Sequence, residues 1–334
     1  MRIGLALPQY DYSVAGESPL RWDTVVEYAQ TAERAGFDSL WLSDHLFLDL
    51  SKYGGPADRT AGFDPVVTLA ALAGVVTRPR LGTLVLCEAL RPASVLAKSL
   101  ASLDVACGGR LDVGVGAGWY APEYEAIGME LPAPGVRLAR LRETILVLRA
   151  LLGGGPATVN GEFHSVTDAV NQPAALQAPH PPIVVGGRGD RLLRVVAELA
   201  DGWNTCWALT HDEYAARLTV LDRACAAVGR DPSTVTRSLG LYALAGEDRA
   251  DLDRRYRRLV ERTPPGVVDD VPLADWRRGR LVGTVDEIRA QRDRWADLGV
   301  DDLIVGVGAV PFAVSALDDV ELLGHALCGA ASGA

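Results

Sequence analysis

Eight short apolar runs alternate with amphipathic helical stretches along this chain, and that alternation restricts the fold more than any other feature. The strand-like runs are RIGLALP (2–8), SLWLS (39–43), RLGTLVL (80–86), RLDVGVGA (110–117), PPIVVGG (181–187), DGWNTCW (201–207), STVTRSLGLYAL (233–244) and DDLIVGVG (301–308). Apolar residues recur at helical spacing over 22–36, 64–76, 94–107, 136–152, 190–200, 211–228 and 284–299, and a terminal helix follows the last strand. Asp64 and Pro65 mark a helix start, and Gly36 and Gly153 mark helix stops. Strict alternation means parallel strands joined by helical crossovers. Runs apolar on both faces belong in a sheet that helices cover on both sides. Eight such units predict a closed α/β barrel, the (β/α)8 TIM barrel, as a single domain over 1–334. A doubly wound open sheet is the alternative.

Three stretches exceed the minimal barrel and are expected as insertions after strands 2, 4 and 7. Residues 46–63 form a Gly/Pro-containing loop, and TVNGEFHSV (158–166) reads as a hairpin turning on Asn160-Gly161. Residues 247–282 are charged and Pro-punctuated, which predicts a helix plus a mobile loop. The only low-complexity tail is GAASGA, 329–334.

Charge and cysteine usage narrow the partners. Thirty-three Lys and Arg against 43 Asp and Glu give a net charge of −10, with no basic cluster, which excludes nucleic acid and anionic membrane surfaces. The five Cys form no CxxC or metal-ligand spacing, as expected of reduced thiols in a cytoplasm. No apolar run approaches the roughly 20 residues of a spanning helix, and the opening MRIGLALPQYDY turns polar too soon for a signal peptide. A soluble cytoplasmic protein with a small-molecule substrate is expected.

The chemistry is expected at strand C-termini, where barrels place their sites. In WLSDHLFLDL (41–50) the second strand ends in Asp44-His45. Imidazole exchanges a proton near neutral pH and suits acid–base work, whereas a purely structural His would satisfy a backbone carbonyl. No HxH occurs and the remaining His are scattered, so no metal is expected. VGVGAGWY (113–120) alternates Gly114, Gly116 and Gly118, which lets a flat ring or a backbone approach closely; its spacing is not GxGxxG. PPIVVGGRGDRLLR (181–194) runs from a strand through Gly186-Gly187-Arg188-Gly189 into a helix, a pattern suited to phosphate. Cys87 ends strand 3. It is a weak nucleophile candidate with no His paired to it in sequence.

Taken in order, AERAGFDSLWLSDH (32–45), the segment from LGTLVL through GVGAGWYAPEYEAIG (81–128), PPIVVGGRGDRLLRVVAELADGWN (181–204) and GTVDEIRAQRDRWADLGVDDLIVGV (283–307) resemble the luciferase-like monooxygenase superfamily. Within it the chain is most similar to the branch that uses coenzyme F-420, an 8-hydroxy-5-deazaflavin. The resemblance implies a non-prolyl cis peptide at Leu84-Val85 backing the ring, with Cys87 beside it. It implies His45 as the proton-transfer residue, with Asp44 setting its tautomer or touching the ring. It also implies Ala117, Gly118 and Trp119 against the ring, and Gly186, Gly187 and Arg188 at the phosphate.

Some family dehydrogenases carry an acid where Trp119 stands and a Lys after strand 6. This chain has neither, so sugar-phosphate oxidation is not expected. Trp119, Trp203 and Trp207 point instead to an apolar substrate pocket. The implied reaction is hydride transfer at the deazaflavin C5. The alternatives are a two-component monooxygenase using reduced FMN and O2, and a non-catalytic scaffold, which the intact Asp44-His45 opposes. The RRGR tetrapeptide (277–280) reads as a solvated loop, or else as a contact for the coenzyme's acidic tail. A homodimer is the default, with helices 64–76 and 94–107 as candidate surfaces, and a flavin or F-420 reductase is an expected partner.

Overall fold

The computed structural model describes residues 1–329, so all of the GAASGA tail except Gly329 lies outside the described residues. Eight strands run in parallel: β1 (Arg2–Ala6), β2 (Ser39–Leu42), β3 (Arg80–Thr83), β4 (Leu111–Gly116), β5 (Ile183–Gly186), β6 (Gly202–Trp207), β7 (Thr236–Gly246) and β8 (Asp302–Gly306). Each pairs with its neighbour in sequence, Ile183 of β5 opposite Val113 of β4. Arg2 of β1 faces Asp302 of β8, so the sheet closes and has no free edge. That pairing rules out the open doubly wound sheet.

The crossovers are α1 (Trp22–Arg34), α2 (Pro65–Leu72), α3 (Ala93–Ala106), α4 (Pro134–Leu152), α5 (Asp190–Leu199), α6 (His211–Ala227), α7 (Val285–Asp297) and α8 (Leu317–Cys328). Asp64 caps α2, its carboxylate accepting from the Val67 amide at 2.9 Å. Thr210 with Glu213, and Thr284 with Glu287, form capping boxes at α6 and α7.

The barrel is filled rather than hollow. Trp41 of β2 occupies its interior, and a Cβ added at Gly4 or Gly82 would stand 2.5 or 2.3 Å from the indole. The floor is an ion set in which Arg80 bonds Asp112 at 2.8 Å and Arg2 bonds Asp302. Paired this way, buried charges keep their hydrogen bonds.

Two insertions stand over the C-terminal mouth. After β2, strands Phe47–Leu48 and Thr60–Ala61 form a small antiparallel ribbon, and a 3-10 turn at Ser51–Tyr53 lies between them. After β7 come helices Arg249–Arg262 and Leu273–Trp276 and a strand, Leu281–Thr284, that pairs in parallel with β7. A helix plus a mobile loop was expected; the helix is present, and the segment after it packs Val268 and Trp276 against Tyr256 and Leu259 in an apolar cluster. The third expected insertion differs more. Its hairpin, Ala157–Val159 with Val166–Ala169, follows α4 and so belongs to a connection between helix and strand. Nor does it turn tightly on Asn160-Gly161: the Glu143 carboxylate of α4 accepts from the amides of Glu162, Phe163 and His164 and holds a wider loop around itself.

Candidate active site

The site grows from the ends of β1 and β2. Gln9, just past β1, clamps Ser43: its amide nitrogen donates to the Ser43 carbonyl at 2.6 Å, and its oxygen accepts from the Ser43 amide at 2.8 Å. The Tyr10 hydroxyl meets the Ser43 hydroxyl at 2.6 Å. With residue 43 pinned, the directions of Asp44 and His45 are set.

Those two neighbours have different partners. The buried Asp44 carboxylate accepts from the Cys87 amide at 2.9 Å and from the Arg91 guanidinium at 2.7 Å, tying β2 to the end of β3. Burial pushes this carboxyl up, and Arg91 pulls against it. His45 instead meets Glu123, with Nδ1 3.1 Å from its carboxylate. Glu123 is 1% exposed and also accepts from the Leu46 amide. A carboxylate can only accept, so Nδ1 carries the hydrogen and Nε2 is left as the exchanging atom. The expectation that Asp44 sets the tautomer is therefore corrected: Glu123, on the short helix Ala121–Ala126, occupies that position.

Across the cavity lies the shelf. The Leu84–Val85 peptide is cis, at the bond the resemblance implied. Val85 sits between β4 and β5, where a Cβ on Gly116 or Gly186 would lie 2.7 or 2.9 Å from its methyl groups. A Cβ on Gly114 would stand 2.0 Å from the Thr83 carbonyl oxygen. The alternating glycines thus admit a backbone and its bulge, one of the two uses their spacing suggested. Gly118 holds φ +68°, and a Cβ there would meet the Tyr124 hydroxyl at 2.1 Å. Cys87, 3.2 Å from that hydroxyl, lines the cavity, but burial raises its thiol to about 11, which disqualifies it as a nucleophile.

Two adjoining cavities result. One of about 330 Å³ is bounded by Asp44, His45, the shelf, Cys87, Trp119 and Trp207. The other, about 460 Å³, is lined by Ala117, Arg137, Arg191 and the start of α5. They share Val85, Gly116, Gly118, Trp119, Gly186 and Gly187. Arg188 departs from expectation. Its guanidinium donates to the Thr205 hydroxyl at 2.9 Å and to the Cys206 carbonyl, so it faces β6 and the first cavity. Arg137 and Arg191 take its place beside the glycine loop.

One further expectation fails. Trp203 is fully buried outside the barrel wall, stacked on Tyr214 of α6 and donating to the Gly187 carbonyl at 2.7 Å. It faces the helix layer, so of the three tryptophans only Trp119 and Trp207 reach the cavity. RRGR lines neither cavity, in keeping with the solvated-loop reading: Arg277 and Arg278 are exposed, while Arg280 lies over Tyr242 and Trp276. Sequence reasoning missed Gln9, Arg91 and Glu123. The only signal for Glu123 was an acid in the loop after strand 4.

Beside Cys87, Glu88 is 2% exposed, and neither of its carboxylate oxygens has a hydrogen-bond partner. Burial lifts its carboxyl to about 7, against the pull of Arg140 and Arg137. Unfolded, this group ionises near the ordinary Glu value, so its neutral form favours folding at low pH and that benefit is lost as pH rises toward 7. Glu88→Gln is expected to match wild type in urea unfolding at pH 5 and to exceed it by about 1–3 kcal/mol at pH 8. A gap independent of pH would refute the assignment.

Among the described residues no group of His, Cys, Asp or Glu could hold a metal ion, and no helix is long and apolar enough to cross a membrane. A model of luciferase-like monooxygenases matches residues 1–302. The chain belongs to that family. Among luciferase-like relatives, an F420-dependent hydroxymycolic acid dehydrogenase of Mycobacterium tuberculosis is 30% identical over 317 residues, 92% of this chain and 82% of that protein. The monooxygenase RslO1 from Streptomyces bottropensis superposes with a TM-score of 0.75 at 25% identity, covering 98% of both chains. An F420-dependent secondary alcohol dehydrogenase, solved with an F420–acetone adduct, shares the fold with a TM-score of 0.74 at 19% identity, again over 98% of both chains.

Proposed function

We propose that this chain is an F-420-dependent oxidoreductase acting on a small organic substrate, with His45 giving or taking the proton that accompanies hydride transfer. One observation carries the reading: the His45–Glu123 pair faces the Leu84–Val85 shelf across a single cavity. The bound deazaflavin supplies or accepts a hydride at C5. The cavities fit such a group. The shelf and the glycine throat leave room for a flat ring, and Arg137, Arg191 and the N-terminus of α5 would hold its phosphate. Glu123 fixes the His45 tautomer, and Trp119 and Trp207 would give the ring aromatic walls. Either direction suits these residues, reduction of an activated C=C, C=N or C=O bond or oxidation of an alcohol. The mycobacterial relative named for F420 supports the deazaflavin.

The likeness to RslO1 favours a second reading, a two-component monooxygenase using reduced FMN and O2. On either reading we place the enzyme in the cytoplasm as a homodimer supplied by a reductase; exposed Val67, Val95 and Val105 on α2 and α3 offer a face for the second copy.

Fluorescence titration with oxidised F-420 and, separately, FMN discriminates between the readings. The proposal expects micromolar or tighter binding of F-420 with FMN ignored. The reverse preference overturns it in favour of the monooxygenase, and binding of neither returns the scaffold.

A further inference from the structure

The first cavity contains ionic groups of two kinds. Its carboxylates are spoken for: Asp44 bonds Arg91 and Glu123 bonds His45. Its two permanent cations are not. Lys52, carried over the mouth by the β2 insertion, rests its ammonium 3.8 Å above the Trp119 ring. Arg188 bonds only the Thr205 hydroxyl and the Cys206 carbonyl. Neither has a carboxylate partner among the described residues. Both line this one cavity, together with Cys206 at the end of β6. Tyr53 borders the same cavity. A chain of net charge −10 thus leaves two unpaired cations and a phenol around one side of an aromatic cavity. Such donors without an acceptor suit an anion.

We propose that the substrate is an organic acid whose carboxylate is held by Lys52 and Arg188, with its apolar part against Trp119, Trp207 and Phe312. The inference deepens the hydride-transfer reading and rests on it. Specificity would then come from charge at the β6 side of the cavity, while proton exchange stays with His45 on the β2 side.

Benzoate and hexanoate, with benzamide and hexanamide as neutral counterparts, test it by calorimetric titration of the protein alone and of the protein saturated with F-420. Each acid is expected to bind at least about tenfold more tightly than its amide, with or without coenzyme. Lys52→Met should abolish that preference, Lys52→Arg should keep it, and Lys52→Met should bind F-420 as wild type does. The preference should also weaken as salt rises from 0.05 to about 0.5 M, a measurement that needs no variant. Equal binding of acid and amide, or a Lys52→Met variant that still prefers acids, overturns the proposal. So does competition between benzoate and F-420, which would assign the cations to the coenzyme. Failure of F-420 to bind while the acid preference persists overturns the cofactor reading and leaves the anion site standing.

Discussion

With F-420 bound, His45→Ala is expected to turn over about 10²–10⁴-fold more slowly than wild type, the usual contribution of one positioned acid–base group. The expectation comes from geometry. His45 lines the cavity that the cis shelf backs, Nδ1 is committed to Glu123, and the ring stands edge-on to Trp119 with centroids 5.6 Å apart. Neither ionisable neighbour on the β2–β3 side is placed to take over the proton, because Asp44 is bound to Arg91 and Cys87 keeps its own. Glu123→Gln should fall between the two. An amide can donate as well as accept, so the imidazole is no longer held in one tautomer, and a loss of about tenfold or more in kcat is expected. Deazaflavin absorbance, followed with any substrate that wild type turns over, reads both variants. A His45→Ala enzyme keeping half the wild-type rate would remove this residue from the chemistry.

Gly114→Ala should cost about 2–4 kcal/mol in stability, a large effect for a single methyl group. The added carbon would stand 2.0 Å from the Thr83 carbonyl oxygen, which is backbone and cannot swing away. The Thr83 hydroxyl also bonds the Gly114 carbonyl and amide, each at 2.9 Å, so β3 and β4 are latched where the methyl would enter. Relief requires the two strands to separate and the shelf to shift. Weakened F-420 binding should therefore accompany the lower denaturation midpoint. Unchanged stability would mean that the contact relaxes at little cost.

The fold was legible because its signal repeats. Eight strand runs and the helices between them each stated the same topology, and Asp64 announced the start of α2. The positions of Asp44 and His45 followed because a barrel puts strand ends at one mouth, whereas the shelf at Leu84–Val85 was implied by the family resemblance. Partner choice was not legible. Adjacency suggested Asp44 for His45, yet neighbouring side chains point apart, and the acid that arrives lies 78 residues away. Arg188 and Trp203 failed for a related reason: motif position says which loop a residue occupies, not which way its side chain turns. RRGR was read correctly as solvated at Arg277 and Arg278, while Arg280 turns back over an aromatic surface that its charge concealed.

The seam between β1 and β8 sets a schedule for the ribosome. Residues 2–6 are made long before their partners at 302–306. At about 5–20 residues per second that leaves an apolar strand edge open for about 15–60 s during every round of synthesis. Half-built chains would therefore be the vulnerable species in a cell, and a chaperone that covers the nascent β1 would act on yield without touching the finished enzyme.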